Sequence, residues 1–105
     1  MENSIRVFNS YLINEKKSSN NTVESYMRDV LQFSDYCISN KVINVTNVNK
    51  EVIESYLKYL TIVGKSESTK LRTVATLRAF FRCLTAKGMF EGNPLEGIRD
   101  RKSVV

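Results

Sequence analysis

KSESTKLRTVATLRAFFRCLTAKG, residues 65–88, decides how the rest of the chain is read. Leu71, Val74, Leu77, Phe81 and Leu84 recur at spacings of three and four, so they fall on one side of a helix. Ser66 is placed to cap the start, and Glu67 sits in the first turn, where a carboxylate meets the positive end of the helix dipole. Lys87 falls in the last turn, and Gly88 is suited to the left-handed residue that ends a helix. The same stretch holds six basic side chains and a single acid. Opposite the apolar stripe a helical wheel puts Ser68, Thr69, Arg72, Thr76, Ala79 and Cys83. A helix with only a structural role needs the stripe. It has no need of charge of one sign without interleaved Glu to form i,i+4 pairs.

The rest of the chain sharpens that asymmetry. Net charge is +5, yet residues 1–63 carry seven basic and seven acidic side chains. All of the excess lies in residues 64–105, with nine basic and four acidic side chains. Positive charge gathered in one region is the footprint of a polyanion binder. A length of 105 residues, 42% hydrophobic, suits one domain with a real but small core. Four Gly and one Pro are too few for a many-turned β-fold, so the chain is read as all-α.

Three further helices are expected upstream. Residues 3–17 align Ile5, Phe8 and Leu12 on one face, with Val7 and Tyr11 beside them. "SSNN" (18–21) interrupts and offers two caps, Ser19, or Asn21 in a box with Glu24. A second helix over 21–39 carries Val23, Tyr26, Val30, Phe33 and Cys37 inward and Ser25, Arg28, Gln32 and Asp35 outward. "NKVINVTN" (40–47) is β-branched but has no partner strand. It is therefore read as a loop packing Val42, Ile43 and Val45 onto the core. Asn49 caps a third helix over 50–63, with Ile53, Tyr56, Leu57 and Leu60 inward and Gly64 at its end. After the fourth helix, Met89, Phe90, Leu95 and Ile98 are expected to close an open end of the bundle. Residues 1–98 form the domain, and 99–105 begin a linker.

Several chemistries are not expected. There is no His, and Cys37 and Cys83 lack metal-ligand spacing, so no metal or cofactor site is read here. The cysteines are expected as reduced, half-buried thiols rather than a disulfide, which places the protein in the cytoplasm. No apolar run is long enough to cross a bilayer, and the N-terminus does not read as a signal peptide. None of Tyr11, Tyr26, Tyr36, Tyr56 and Tyr59 has a basic constellation to activate it, so no catalytic residue is assigned.

The outward chemistry of the fourth helix suits DNA. Ser and Thr hydroxyls and the free N–H groups of a helix start bind phosphate. Lys65, Lys70 and Arg72 add charge-assisted contacts, and Arg72 is also placed to read guanine. Small Ala79 leaves room for a groove to approach. This reading requires Thr69, Arg72 and Thr76 to be accessible. It also expects Arg72→Ala to weaken DNA binding while leaving the thermal midpoint nearly unchanged.

Three segments together, SSNNTVESYMRDVLQFSDYC, VTNVNKEVIESYLKYL and KSESTKLRTVATLRAFFRCLTAKGMFEGNPLEGI, resemble the N-terminal core-binding, SAM-like domain of tyrosine recombinases, the phage integrases and Xer-type proteins. The pieces are Ser19–Thr22–Tyr26–Asp29, Ser68–Thr69, Leu77–Arg78 with Phe80–Phe81, and Asn93–Pro94. The resemblance implies an orthogonal four-helix bundle with a short C-terminal extension. That bundle would form one half of a clamp on double-stranded recombination-site DNA, with the second and fourth helices facing the major groove. It assigns DNA contacts to Thr22, Ser25 and Arg28, and to Lys65, Ser66, Ser68, Thr69, Arg72 and Thr76, to which the charge of the fourth helix adds Lys70. Tyr26 and Phe81 carry over as core. Met27 departs from the family, where a basic residue is frequent. The implied partners are DNA, a C-terminal catalytic domain of the same protein, and further protomers on the DNA. The nucleophilic Tyr of the family lies in that catalytic domain, so these residues alone are expected to be no enzyme. Asp29 and Arg78 are expected to pair across the bundle.

A helical protein-interaction module is the alternative, and it would expose apolar anchors rather than a charged helix. A helix-turn-helix regulator fits poorly, because helices over 50–63 and 67–87 are both long and the turn between them lacks the spacing.

Overall fold

Each helix start and stop follows from a local signal. The computed structural model describes residues 1–98, in which four α-helices carry the fold and no strand occurs. Helix α1 spans Glu2–Ser10 and continues into a wider π-turn at Tyr11–Glu15, closed by Lys16 N–H donating to the Tyr11 carbonyl at 3.0 Å. Ile5, Phe8 and Leu12 are buried as one face. The chain reverses through Lys17, at φ 52°.

Helix α2 spans Asn20–Ser39. Of the two caps on offer it uses Ser19, whose Oγ accepts from Thr22 N–H at 3.3 Å. Val30, Phe33 and Cys37 are buried along it, and so are Asp29 and Ser34. Helix α3 spans Lys50–Ile62, capped by Asn49 Oδ1 accepting from Val52 N–H at 3.0 Å, with Ile53, Tyr56 and Leu60 inward. Between them Val45–Asn47 make a short 3₁₀ turn. Val45 and Val48 are buried there, but Ile43 is exposed, contrary to the packing expected of it. Its carbonyl instead accepts from the Met1 ammonium at 3.1 Å, so this loop is held partly by a polar tie.

Helix α4 spans Glu67–Ala86, capped by Ser66 Oγ accepting from Thr69 N–H at 3.2 Å. Helices α3 and α4 both end on a left-handed glycine. At Gly64 (φ 89°) Lys65 N–H reaches back to the Leu60 carbonyl, and at Gly88 (φ 75°) Met89 N–H reaches the Leu84 carbonyl. A Cβ at either would meet nothing within 4 Å, so the demand is for backbone conformation, not for space.

The core is aromatic. Phe33 meets Tyr56 and Phe81 edge-on, with centroids 5.1 and 6.3 Å apart, and Phe8 meets Phe80 at 5.3 Å. Past α4 the chain folds back, burying Phe90 at 4.8 Å from the Phe81 ring and sealing Leu95. Arg78 Nη2 donates to the Ile98 carbonyl at 2.9 Å, which fastens this extension. The expected linker at 99–105 lies outside the described residues. Both cysteines are free, and they are fully rather than half buried. Burial pushes the Cys37 thiol up to about 12 and raises that of Cys83.

Candidate nucleic-acid interface

Helices α2 and α4 begin with the same device. Ser19 and Ser66 each accept a backbone N–H from the Thr three residues on. Each also donates its own hydroxyl hydrogen to that threonine's Oγ1, at 2.9 Å for Thr22 and 3.1 Å for Thr69. The threonine hydroxyl accepts within the cap and keeps its own hydrogen to donate outward. Thr22 is exposed and Thr69 half-buried. A helix start of this kind pairs donor hydroxyls with free N–H groups, which suits an anionic oxygen.

The two helices meet at Asp29. This carboxylate is 1% exposed, and it holds Arg72 side-on: Nε donates to Oδ2 at 3.1 Å and Nη2 to Oδ1 at 3.0 Å. Thr76 Oγ1 lies 2.9 Å from Oδ2 and 3.0 Å from the Arg72 carbonyl, so its one hydrogen serves either acceptor. The hydrogen bonds from Arg72 and the charge of Asp29 raise the guanidinium's pKa further above its usual value. The Arg72 side chain stays 49% exposed.

This junction corrects four expectations. Thr76 is fully buried and faces Asp29, so its hydroxyl does not reach solvent. Cys83, placed on the outward arc by the wheel, is buried as well. Asp29 pairs with Arg72 and not with Arg78, which reaches the extension instead. Arg72 is therefore part of the fold's polar interior as well as its surface, and its removal is now expected to cost stability. Of the three residues whose accessibility the DNA reading required, Thr76 is sealed, Thr69 is half-buried and Arg72 is exposed.

The outward stripe of α4 runs instead through Ser68, Arg72, Ala75, Ala79 and Arg82, with Ala79 half-buried and the others exposed. Arg82 and Ala75 were not singled out from the sequence. The spacing 68, 72, 75, 79, 82 would have found them, had the outward arc not been centred on the side of Thr76 and Cys83. Lys70 turns away from this stripe: its Nζ pairs with Glu67 at 2.9 Å and donates to Thr61 of α3 at 3.0 Å.

The remaining assigned residues divide simply. Ser25 is half-buried on α2, and Arg28, Lys65, Ser66 and Ser68 are exposed. Arg72, Lys70 and Lys87 each have a carboxylate partner, Asp29, Glu67 and Glu15 respectively. Arg28, Lys65 and Arg82 have none among the described residues. Among the described residues no cluster of His, Cys, Asp or Glu suits a metal, and no helix is long and apolar enough to cross a membrane. Burial, aided by the charge of Asp29, pushes the Tyr56 phenol up, the opposite of what a nucleophile needs.

The profile of the family described as phage integrase, N-terminal SAM-like domain, matches residues 5–88. A protein named as a tyrosine recombinase from Caldanaerobacter subterraneus subsp. tengcongensis is 38% identical over 101 residues, covering 96% of this chain and 34% of its own. A tyrosine recombinase of Pseudothermotoga lettingae is 38% identical over 104 residues, covering 97% of this chain and 36% of its own. Tyrosine recombinase XerD of Staphylococcus epidermidis is 30% identical over 80 residues, covering 76% and 27%. The chain thus spans about a third of the length of such relatives. No solved structure matches it.

Proposed function

The chain belongs to the family of phage integrase N-terminal SAM-like domains, and from that premise we propose that it is the non-catalytic, DNA-binding part of a tyrosine recombinase. It grips duplex DNA at a recombination site with the exposed sides of α2 and α4. A catalytic domain of the same protein holds the other side of the duplex, and further protomers assemble on the same DNA in the cytoplasm.

The observation that carries this reading is the set of exposed cations Arg28, Lys65 and Arg82, none of them ion-paired among the described residues, on or beside two helices with hydroxyl-capped starts. Phosphates would be met by those cations and by Thr22, Ser25, Ser66, Ser68 and Thr69, with the outer edge of Arg72 left to face the duplex. Thr76 and Lys70 support this surface from within instead of touching DNA. The test is a salt titration of binding to a duplex. Each phosphate neutralised contributes about −0.9 to the slope of log K against log salt, so a slope of about −3 or steeper is expected. A flat response overturns the reading.

A groove of about 830 Å³ between α2 and α3, bordered by Tyr36, Tyr59, Ile62 and Val63, favours a second reading as a protein-interaction module. Binding there would be insensitive to replacement of Arg28 and Arg82 by alanine, whereas duplex binding falls; Lys65 borders the groove and does not separate the two.

A further inference from the structure

We propose that Asp29 is a positioning residue for DNA selectivity: it fixes the Arg72 guanidinium so that its free edge reads one base edge. This rests on the DNA-binding reading above. A guanidinium carries five N–H donors in one plane. Asp29 takes the Nε hydrogen and one Nη2 hydrogen. Nη1 and the outer hydrogen of Nη2 lie along the adjoining edge, on a side chain that is half exposed. Two parallel donors in that arrangement match the O6 and N7 acceptors of guanine.

Three features make this a reader rather than a plain phosphate contact. The carboxylate is buried on α2 and the guanidinium stem is on α4, so the orientation is set by the crossing of two helices, not by one flexible side chain. Thr76 holds the Asp29 Oδ2 atom that also takes Arg72 Nε, which limits rotation of the carboxylate. The Asp29 charge also cancels that of Arg72. The pair consequently adds little to the salt-dependent attraction common to any sequence, and its directed hydrogen bonds remain. A free arginine such as Arg82 has the reverse balance.

The experiment uses the whole chain and two duplexes: one selected by it from a randomised pool, and a scrambled version of that duplex. Asp29→Asn releases the Arg72 charge and loosens its orientation. Affinity for the scrambled duplex is expected to rise, while the ratio of selected to scrambled binding falls about tenfold. Unfolding would lower both affinities, so opposite movement separates positioning from structural support. Glu24→Gln, an exposed change of equal charge on the same helix, is expected to raise both affinities and keep the ratio. Nitrogen-15 relaxation of Arg72 Nε in the free protein gives a readout independent of DNA: as ordered as the backbone in the unaltered chain, mobile in Asp29→Asn. Retention of the ratio in Asp29→Asn, or an equally mobile Nε in both proteins, overturns this proposal and leaves the proposed function standing. If the unaltered chain binds no duplex, both fall together.

Discussion

The two flanks of α4 both carry hydroxyl residues, yet they do opposite work. One flank presents Val74, Leu77, Phe81 and Leu84 with Thr73, Thr76, Phe80 and Cys83, all buried. The other presents Ser68, Arg72, Ala75 and Arg82 to solvent. Thr76 and Ser68 are both hydroxyl residues outside the apolar stripe, but Thr76 completes a buried network and Ser68 is free to meet a ligand. Residue type does not separate them. The contacts of α4 with both α1 and α2 do, because a helix flanked by two neighbours buries an arc wider than its apolar stripe.

The contrast is broken most forcefully from the buried side. Leu77 is fully enclosed, and Leu77→Ala is expected to cost about 3 kcal/mol in denaturant unfolding, from lost burial and the residual cavity. Ala75→Ser, two positions earlier on the outward flank, is expected to cost about 0.5 kcal/mol or less. Equal costs would mean that the two flanks are not distinct.

Arg72 sits on the boundary, and its partner gives an asymmetric prediction. Arg72→Ala leaves a buried carboxylate with Thr76 as its remaining side-chain donor. Half exposure of the arginine lets water replace part of the loss, so about 2 kcal/mol is expected rather than the larger cost of a fully enclosed pair. Asp29→Ala instead leaves a guanidinium that water can reach, and about 1 kcal/mol is expected. Chemical denaturation of the two variants side by side checks the order. A smaller loss for Arg72→Ala would place Asp29 in a wetter setting than its burial implies.

The thiols sharpen the same boundary at alkaline pH. In an unfolded chain Cys37 ionises near its ordinary value of 9.0, and burial raises it to about 12 in the fold. A group raised in the native state favours folding below its unfolded pKa, so the contribution of Cys37 is intact at pH 8. It is lost as pH climbs from about 9 to about 12. Below pH 9 both thiols are expected to resist a disulfide reagent until denaturant is added, and Cys83 should react at no greater rate than Cys37 if its flank is sealed.

Much of this was legible in the sequence, and the losses have common causes. Caps at Asn49 and Ser66 and stops at Gly64 and Gly88 are local events, written within a few residues of where they act. Apolar spacing found the inward faces of all four helices for the same reason. The partner of Asp29 was missed because Arg72 and Arg78 are both basic and both on α4. Which one arrives depends on a crossing between residues 43 positions apart. Thr76 was misplaced because its hydroxyl can bond the Arg72 carbonyl one turn back, which lets a polar residue sit in the interior without leaving a trace in hydropathy. Ile43 was misplaced by the opposite assumption, that a β-branched residue in a loop must be covered.

Arg82 offers the finest cut between the flanks, because its expected effect on folding is nearly nil. It is exposed, has no carboxylate partner among the described residues, and lies one helical turn past Arg78, which is engaged with the extension. Arg82→Ala should therefore shift unfolding by no more than about 0.5 kcal/mol. If the outward flank meets a duplex, the same change removes about one phosphate contact and flattens the salt slope by roughly 0.9. Selected and scrambled sequences should lose affinity equally, since a phosphate contact carries no sequence information. Asp29→Asn is expected to do the reverse, changing selectivity while leaving the slope no shallower. A pair of variants that behaves this way would divide the α4 surface into a charge that attracts and a fixed edge that discriminates. A loss of selectivity in Arg82→Ala would move the base-reading edge one or more turns along the helix, away from Arg72.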